Sequence, residues 1–170
     1  MGSYGEFGKR EWVDDLPLDF KQIHAKLIQS GKLLTEDRVQ NALKKGIDPI
    51  ILSIGKWIRI RTTIEKFPHL ATITALFNNI GSNTCGLCFF SIEKLRVLQI
   101  DSFHSSDKCQ VCPLGKIDCC NTKNSIFKQI ESIVFRAKYV TLDNLKEAST
   151  VDEFLKLCTA MIENLEKCRN

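Results

Sequence analysis

The 170-residue sequence has no apolar run that approaches the roughly 18 residues needed to cross a bilayer. Residues 1–10 lack the apolar core of a secretory signal peptide, and Glu6 stands where a myristoylation motif has serine or threonine. We therefore expect a cytoplasmic, intracellular protein with no transmembrane segment and no membrane partner.

The sequence also lacks the short motifs of common enzyme classes. There is no G-x-x-x-x-G-K-[ST], G-x-G-x-x-G, H-E-x-x-H or G-x-S-x-G. The deaminase motif is absent as well, because Cys85-Gly86-Leu87 does not match C-x-E and Pro113 follows Cys112 instead of preceding it. These absences favour a non-enzymatic protein, although a catalytic cysteine is recognised in space and stays open.

Composition and length are those of an ordinary globular domain, with 44% hydrophobic and 26% charged residues. Apolar residues recur mostly at helical spacing, which predicts a mainly α-helical single domain with an inserted cysteine-rich metal-binding knuckle. We expect a flexible lead-in at 1–18, an N-terminal helical half at 19–84, the knuckle at 85–123 and a C-terminal helical hairpin at 124–170.

The clearest helix start is Asp48 followed by Pro49, which predicts a helix over 49–66. Residues 58–64 also alternate apolar and polar residues, so a strand is the alternative there. In the helix, Lys56 and Arg59 are predicted to point away from the apolar face.

Two further helices are predicted around and after the knuckle. One leaves Cys88 and runs over 89–99. The last begins at Thr150, which forms a capping-box pattern with Glu153. Its buried seam is predicted to hold Val151, Phe154, Cys158, Met161, Leu165 and Cys168.

Positive charge is concentrated in one stretch of the chain. The formal net charge is +4, and residues 44–66 carry six basic residues against two acidic ones. Such a local patch can contact phosphates, and an aromatic residue inside it can stack on a base. The alternative is a solvated helix face with Trp57 in the core. The candidate nucleic-acid contacts are Lys56, Trp57, Arg59 and Arg61.

Six of the eight cysteines lie within residues 85–120. A C-x2-C pair, a gap of twenty residues and a second C-x2-C pair is the spacing of a four-thiolate metal site. Four thiolates placed tetrahedrally around Zn²⁺ leave no open position, which is typical of structural sites. The predicted ligands are Cys85, Cys88, Cys109 and Cys112, with Cys119 and Cys120 as possible replacements.

Other interpretations of the cysteines stay open. The surplus thiols and the Cys112-Pro113 step are compatible with an iron–sulfur cluster that serves electron transfer or redox sensing. Disulfides would fit a protein of a hyperthermophile or its virus. His104 could also ligate a metal, or be a loop residue.

The cysteine pattern resembles a class of small prokaryotic and phage-encoded proteins of uncharacterised function. The matching residues, within 54–130, are Lys56-Trp57, Cys85-Gly86-Leu87-Cys88, Cys109-Gln110-Val111-Cys112-Pro113 and Cys119 or Cys120. The chain departs from that pattern at 121–123, where Asn-Thr-Lys replaces Thr/Ser-Pro-Tyr. The resemblance implies a metal-binding knuckle and a viral or mobile-element origin, but no activity.

The leading hypothesis is a non-enzymatic interaction protein, stapled by zinc, that binds a protein or a nucleic acid. The oligomeric state and the identity of the partner are not predicted.

Overall fold

The computed structural model describes residue 25 and residues 33–98, 109–139 and 146–169. The predictions for the lead-in and for His104 lie outside these residues. No strand occurs in the described ranges, so the mainly α-helical prediction is confirmed. The helices whose bounds lie inside them are α1 (Glu36–Lys44), α2 (Pro49–Lys66), α3 (Leu70–Ala75), α4 (Gly86–Val97), α5 (Gly115–Asp118), α6 (Ile126–Tyr139) and α7 (Glu147–Lys167).

The predicted bounds of α2 are confirmed. The Asp48 carboxylate accepts a hydrogen bond from the backbone N–H of Ile50 at 2.7 Å, while Pro49 occupies the first turn. A strand would place Ile58 and Ile60 on the same face. Instead, Ile58 is 40% exposed whereas Ile60 is buried, as a helix requires.

The buried face of α2 differs from the predicted one. Lys56, predicted to point outward, is only 3% exposed, whereas the apolar side chains of Ile51 and Ile58 are exposed. The face that is buried consists of Leu52, Ser53, Ile54, Lys56, Trp57, Ile60, Thr63 and Ile64. Two polar side chains and a cation therefore occupy the interior side of this helix.

The helix α4 begins and ends earlier than predicted. It starts at Gly86, so Cys88 lies in its first turn instead of before it. Val97 and Leu98 at its C-terminal end are 79% and 58% exposed. The prediction failed because Cys85, the residue before the helix, makes no side-chain capping bond that the sequence could reveal.

The C-terminal hairpin follows its predicted seam. Val151, Phe154, Cys158, Met161 and Leu165 are all buried, while Cys168 is partly exposed. The helix α7 nevertheless starts at Glu147 and runs through the predicted capping box. The side chain of Glu147 contacts another helix: its carboxylate accepts a hydrogen bond from the backbone N–H of Leu70, at the start of α3, at 3.1 Å.

The core forms where α7 packs against α2 and α6, while α2 also contacts α4. Two short 3-10 turns, Phe77–Asn79 and Ser82–Thr84, connect α3 to α4 across one end of this core. Within the described ranges, no helix combines the length and the apolar character that a membrane span requires. The largest side chains with almost no exposure are Leu33, Ile60, Ile64, Leu70, Ile73, Leu76, Leu87, Ile130, Ile133, Phe154 and Met161.

Replacing Phe154 with alanine is expected to lower the free energy of unfolding by about 3–5 kcal/mol, because removal of a fully buried ring leaves a cavity. Urea denaturation followed by circular dichroism measures the change. Glu153→Ala is the matched control at an exposed neighbouring position, with an expected change below about 0.5 kcal/mol. Equal losses in the two variants would contradict this packing.

Candidate metal centre

Thiols from two separate stretches of the chain line a single cavity of about 340 Å³. Its walls come from α2, the turns before α4, α4 itself, residues 109–121, α6 and α7. The structure thus brings both predicted C-x2-C pairs to one place. The five cysteines that line the cavity are Cys85, Cys88, Cys109, Cys112 and Cys120, whereas Cys119 is not among the lining residues.

The first pair is positioned by a close approach of α4 to α2. A Cβ atom on Gly86 would lie 2.9 Å from the carbonyl oxygen of Pro49 and 3.1 Å from Cβ of Leu52, so only glycine fits without a shift. The hydroxyl of Ser53 accepts a hydrogen bond from the backbone N–H of Leu87 at 3.3 Å. It also lies 3.9 Å from the sulfur of Cys85. These contacts fix the first pair against α2.

The second pair lies at the end of a helix and in the turn that follows it, since residues 109–111 are helical and Cys112 begins the turn to α5. The backbone N–H of Gly115 donates to the carbonyl oxygen of Cys112 at 2.9 Å. A Cβ on Gly115 would overlap the carbonyl oxygen of Cys109, so this turn also requires glycine. Burial raises the pKa of the Cys112 thiol, whereas the donors of Leu114, Gly115 and Ser91 near its sulfur act in the opposite direction.

The two adjacent cysteines that follow have different surroundings. Cys120 lies within electrostatic range of Cys85, Cys109 and Cys112. Cys119 instead interacts with Cys109 and does not line the cavity. Of the two possible replacement ligands, Cys120 is therefore the one at the centre of the thiol group.

The cysteine segment also forms the start of α6. The Asp118 carboxylate accepts a hydrogen bond from the backbone N–H of Ile126 at 2.9 Å. The Ser125 hydroxyl donates to the carbonyl oxygen of Cys120 at 3.2 Å and accepts from the backbone N–H of Lys128 at 3.2 Å. The first turn of α6 is thus capped by residues of the segment that carries the thiols.

A buried cation borders the thiols. The Lys56 ammonium donates hydrogen bonds to the carbonyl oxygens of Ile80 at 2.9 Å and Gly81 at 2.8 Å. Burial lowers the pKa of Lys56, and the nearby thiols of Cys85, Cys88 and Cys120 act in the opposite direction. The charged form of this lysine is therefore favoured by negative charge on the sulfurs.

The thiols differ in their readiness to ionise. The proximity of the Cys88 and Cys85 thiols lowers the pKa of Cys85 and raises that of Cys88. Burial raises the pKa of Cys109 to about 11 and also raises the pKa values of Cys112 and Cys120. Without a cation at the site, several of these thiols would remain protonated at neutral pH.

Among the described residues, no three cysteine, histidine or carboxylate side chains form a ready-made site for one metal ion. The cysteines surround a space instead of meeting at a point. The prediction of a metal site therefore stays a prediction, although the cysteines that it named are neighbours.

The candidate nucleic-acid residues do not form one accessible surface. Lys56 and Trp57 are each 3% exposed, so they cannot contact a phosphate or a base from the interior. Arg61 is engaged by Glu65 at 3.7 Å and by the hydroxyl of Thr159 at 3.5 Å. The register of α2 turns Lys56 and Trp57 into the core, which is the alternative that the sequence left open for Trp57, while Arg59 remains partly exposed.

Several residues of this region were not singled out in the sequence. Ser53 and Ser91 lie on the buried faces of α2 and α4 and approach sulfurs of the two pairs. Cys168 was assigned to the seam of α7 but lies within electrostatic range of Cys112. No local motif marks these residues, since each acts on a partner distant in the chain.

A scan of the sequence against protein-family models found no match, and searches of curated proteins and of solved structures found none either.

The substitution Gly86→Ala is expected to destabilise the protein by about 1–3 kcal/mol, because the new Cβ would collide with the Pro49 carbonyl. Helix propensity alone predicts the opposite sign. The control is Gly55→Ala in α2, where the nearest atom is the end of the Arg59 side chain at 3.4 Å. Thermal denaturation should show Gly55→Ala neutral or stabilised by up to about 1 kcal/mol. Stabilisation of Gly86→Ala would contradict the close helix approach.

Proposed function

We propose that this protein is a non-enzymatic metal-binding protein in which cysteine thiolates hold a metal centre inside the cavity. The centre fastens α2 and α4 to the segment 109–121 and so gives the helices a fixed arrangement that a partner can recognise. The observation that carries the proposal is the burial of the Lys56 ammonium directly beside the thiols.

A buried ammonium needs negative charge nearby, because removing it from water costs several kcal/mol. Two carbonyl oxygens satisfy hydrogen bonds of Lys56 but carry only partial charge. A divalent metal with four thiolates has a net charge of about −2, which would stabilise the ammonium. The metal in turn would stabilise the ionised form of thiols such as Cys120 whose pKa is raised by burial.

The backbone of the segment 109–121 also supports this proposal. Within 109–124, Leu114 is the one buried residue, so apolar packing contributes little to holding this stretch in place. A structural metal supplies on the order of 10 kcal/mol to the folding of small metal-binding modules. A metal centre bound by the cysteines would therefore explain how this segment keeps its conformation with almost no buried apolar side chains.

The spacing of the cysteines by itself is that of a four-thiolate zinc site, so zinc is the metal that the sequence predicts for this centre. The resemblance to small prokaryotic and phage-encoded proteins is part of the same proposal, and it adds an origin in a virus or mobile element. Neither consideration assigns a partner.

For the partner, we propose a protein in preference to a nucleic acid. Phe90 and Val97 lie about two helical turns apart on α4, and Leu98 follows its last residue; the three side chains are exposed by 37%, 79% and 58%. Exposed apolar side chains on one helix face are typical of protein–protein contacts. The nucleic-acid alternative is weakened because Lys56 and Trp57 lie in the interior.

Metal content tests the staple. The full chain, purified without oxygen, is expected to contain metal by elemental mass spectrometry, and removal of that metal by a chelator is expected to lower its thermal stability. Cys85→Ala and Cys112→Ala should lose the metal. Cys158→Ala is the control, since this thiol is buried beside Arg61 and Glu65 instead of in the cavity. A metal-free wild-type protein, or metal loss in Cys158→Ala, would contradict the staple.

The proposed protein contact is tested by Leu98→Asp at the C-terminal end of α4. Affinity capture from the natural host should recover a protein with the wild-type chain and lose it with Leu98→Asp, because the charge would be placed in an apolar interface. Glu93→Gln, which changes an exposed residue of the same helix, should retain the partner. Recovery of the same proteins with Leu98→Asp, or of nucleic acid alone, would contradict this assignment.

A further inference from the structure

We infer that the cavity holds an iron–sulfur cluster, a centre of several metal atoms, and that its ligands are Cys85, Cys88, Cys112 and Cys120. This inference rests on the proposed function and deepens it by naming the class of metal centre. It differs from the zinc site predicted from the spacing both in the metal and in one ligand.

The first argument is the separation of the thiols. With zinc–sulfur bonds of about 2.3 Å, the four sulfurs of a tetrahedral site lie within about 4 Å of one another. Among the described residues, no three potential ligands are gathered closely enough for one ion. An iron–sulfur cluster spreads its four cysteine ligands around its own iron and sulfide atoms, so it needs thiols that surround a space.

The second argument is the size and the lining of that space. The cavity measures about 340 Å³, whereas one water molecule needs roughly 10–15 Å³ in the same measure, so the space exceeds the needs of a single ion. Its walls include the apolar side chains of Trp57, Phe77, Leu87, Met161 and Leu165. An apolar lining affects the access of solvent to a bound cluster, and solvent exposure is one of the factors that set cluster chemistry.

The ligand set follows from the neighbours of each thiol. Cys85 lies beside Cys88, and both Cys112 and Cys120 are within electrostatic range of Cys85. Cys88 and Cys120 are also neighbours and share Lys56. Cys109 lines the cavity too, but its strongest interaction with another thiol is with Cys119, which lies outside the cavity lining. Cys120 therefore completes the set that Cys85, Cys88 and Cys112 begin.

Iron, acid-labile sulfide and zinc are to be measured on the full chain purified without oxygen, together with visible absorption and electron paramagnetic resonance after reduction. We expect more than one iron and more than one sulfide per chain, with a broad visible charge-transfer band. Zinc at one ion per chain would overturn the cluster and leave the metal staple intact. If the protein contains no metal and takes up no iron with sulfide in reconstitution, both the cluster and the staple are wrong.

The adjacent cysteines provide a matched pair of variants for the ligand assignment. Cys120→Ala is expected to lose at least about nine-tenths of the bound iron, whereas Cys119→Ala is expected to keep it. Retention of the full iron content in Cys120→Ala or in Cys112→Ala would overturn the ligand set. Because Cys120→Ala could unfold, Cys120→Ser is measured in parallel: a spectrum and an iron content equal to wild type would overturn the assignment independently of stability.

Discussion

The buried ammonium of Lys56 is the constraint on which the arrangement of the site depends. A cation in the interior must be offset by hydrogen-bond acceptors and by negative charge. The chain supplies the acceptors through the carbonyl oxygens of Ile80 and Gly81, which the two 3-10 turns before α4 bring to α2. It supplies potential negative charge through the thiols of Cys85, Cys88 and Cys120. Lys56 thus connects the turns, the helix α2 and the cysteine group.

The remaining features of the cavity support this connection. Gly86 allows α4 to approach the carbonyl of Pro49, and Ser53 binds the N–H of Leu87 from the other helix. The first cysteine pair is thereby held by two helices, whereas the second pair depends on a turn with little apolar packing. The first cysteine pair is thus a preformed half of the site. The second pair is the more weakly held half, which a bound metal centre would join to the first. Because the second pair has so little apolar packing, we propose that a metal centre, and not the hydrophobic core, holds residues 109–121 in place.

Sequence reasoning succeeded where the cause is local. The Asp48-Pro49 start of α2, its end at Lys66 and the seam Val151, Phe154, Cys158 follow from capping and helical spacing, which depend on neighbours within a few residues. It failed where the cause is distant in the chain. Lys56 was assigned to the surface because its partners are 24 and 25 residues away, and the choice between Cys119 and Cys120 depends on how the segment meets α4. The start of α7 was misplaced for the same reason, since Glu147 caps α3.

The capping of α6 by Asp118 and Ser125 has a consequence for the order of folding. The interface between α2 and α7 can form from apolar side chains alone, but the first turn of α6 is complete only when residues 118–125 have taken their places. Amide protons at the start of α6 would therefore gain protection from solvent exchange late, together with the cysteine segment. In the native protein, the first turn of α6 would open less often when the cavity is occupied than when it is empty. The exchange rate of its amide protons would therefore depend on the occupancy of a site to which α6 is joined by a short stretch of backbone.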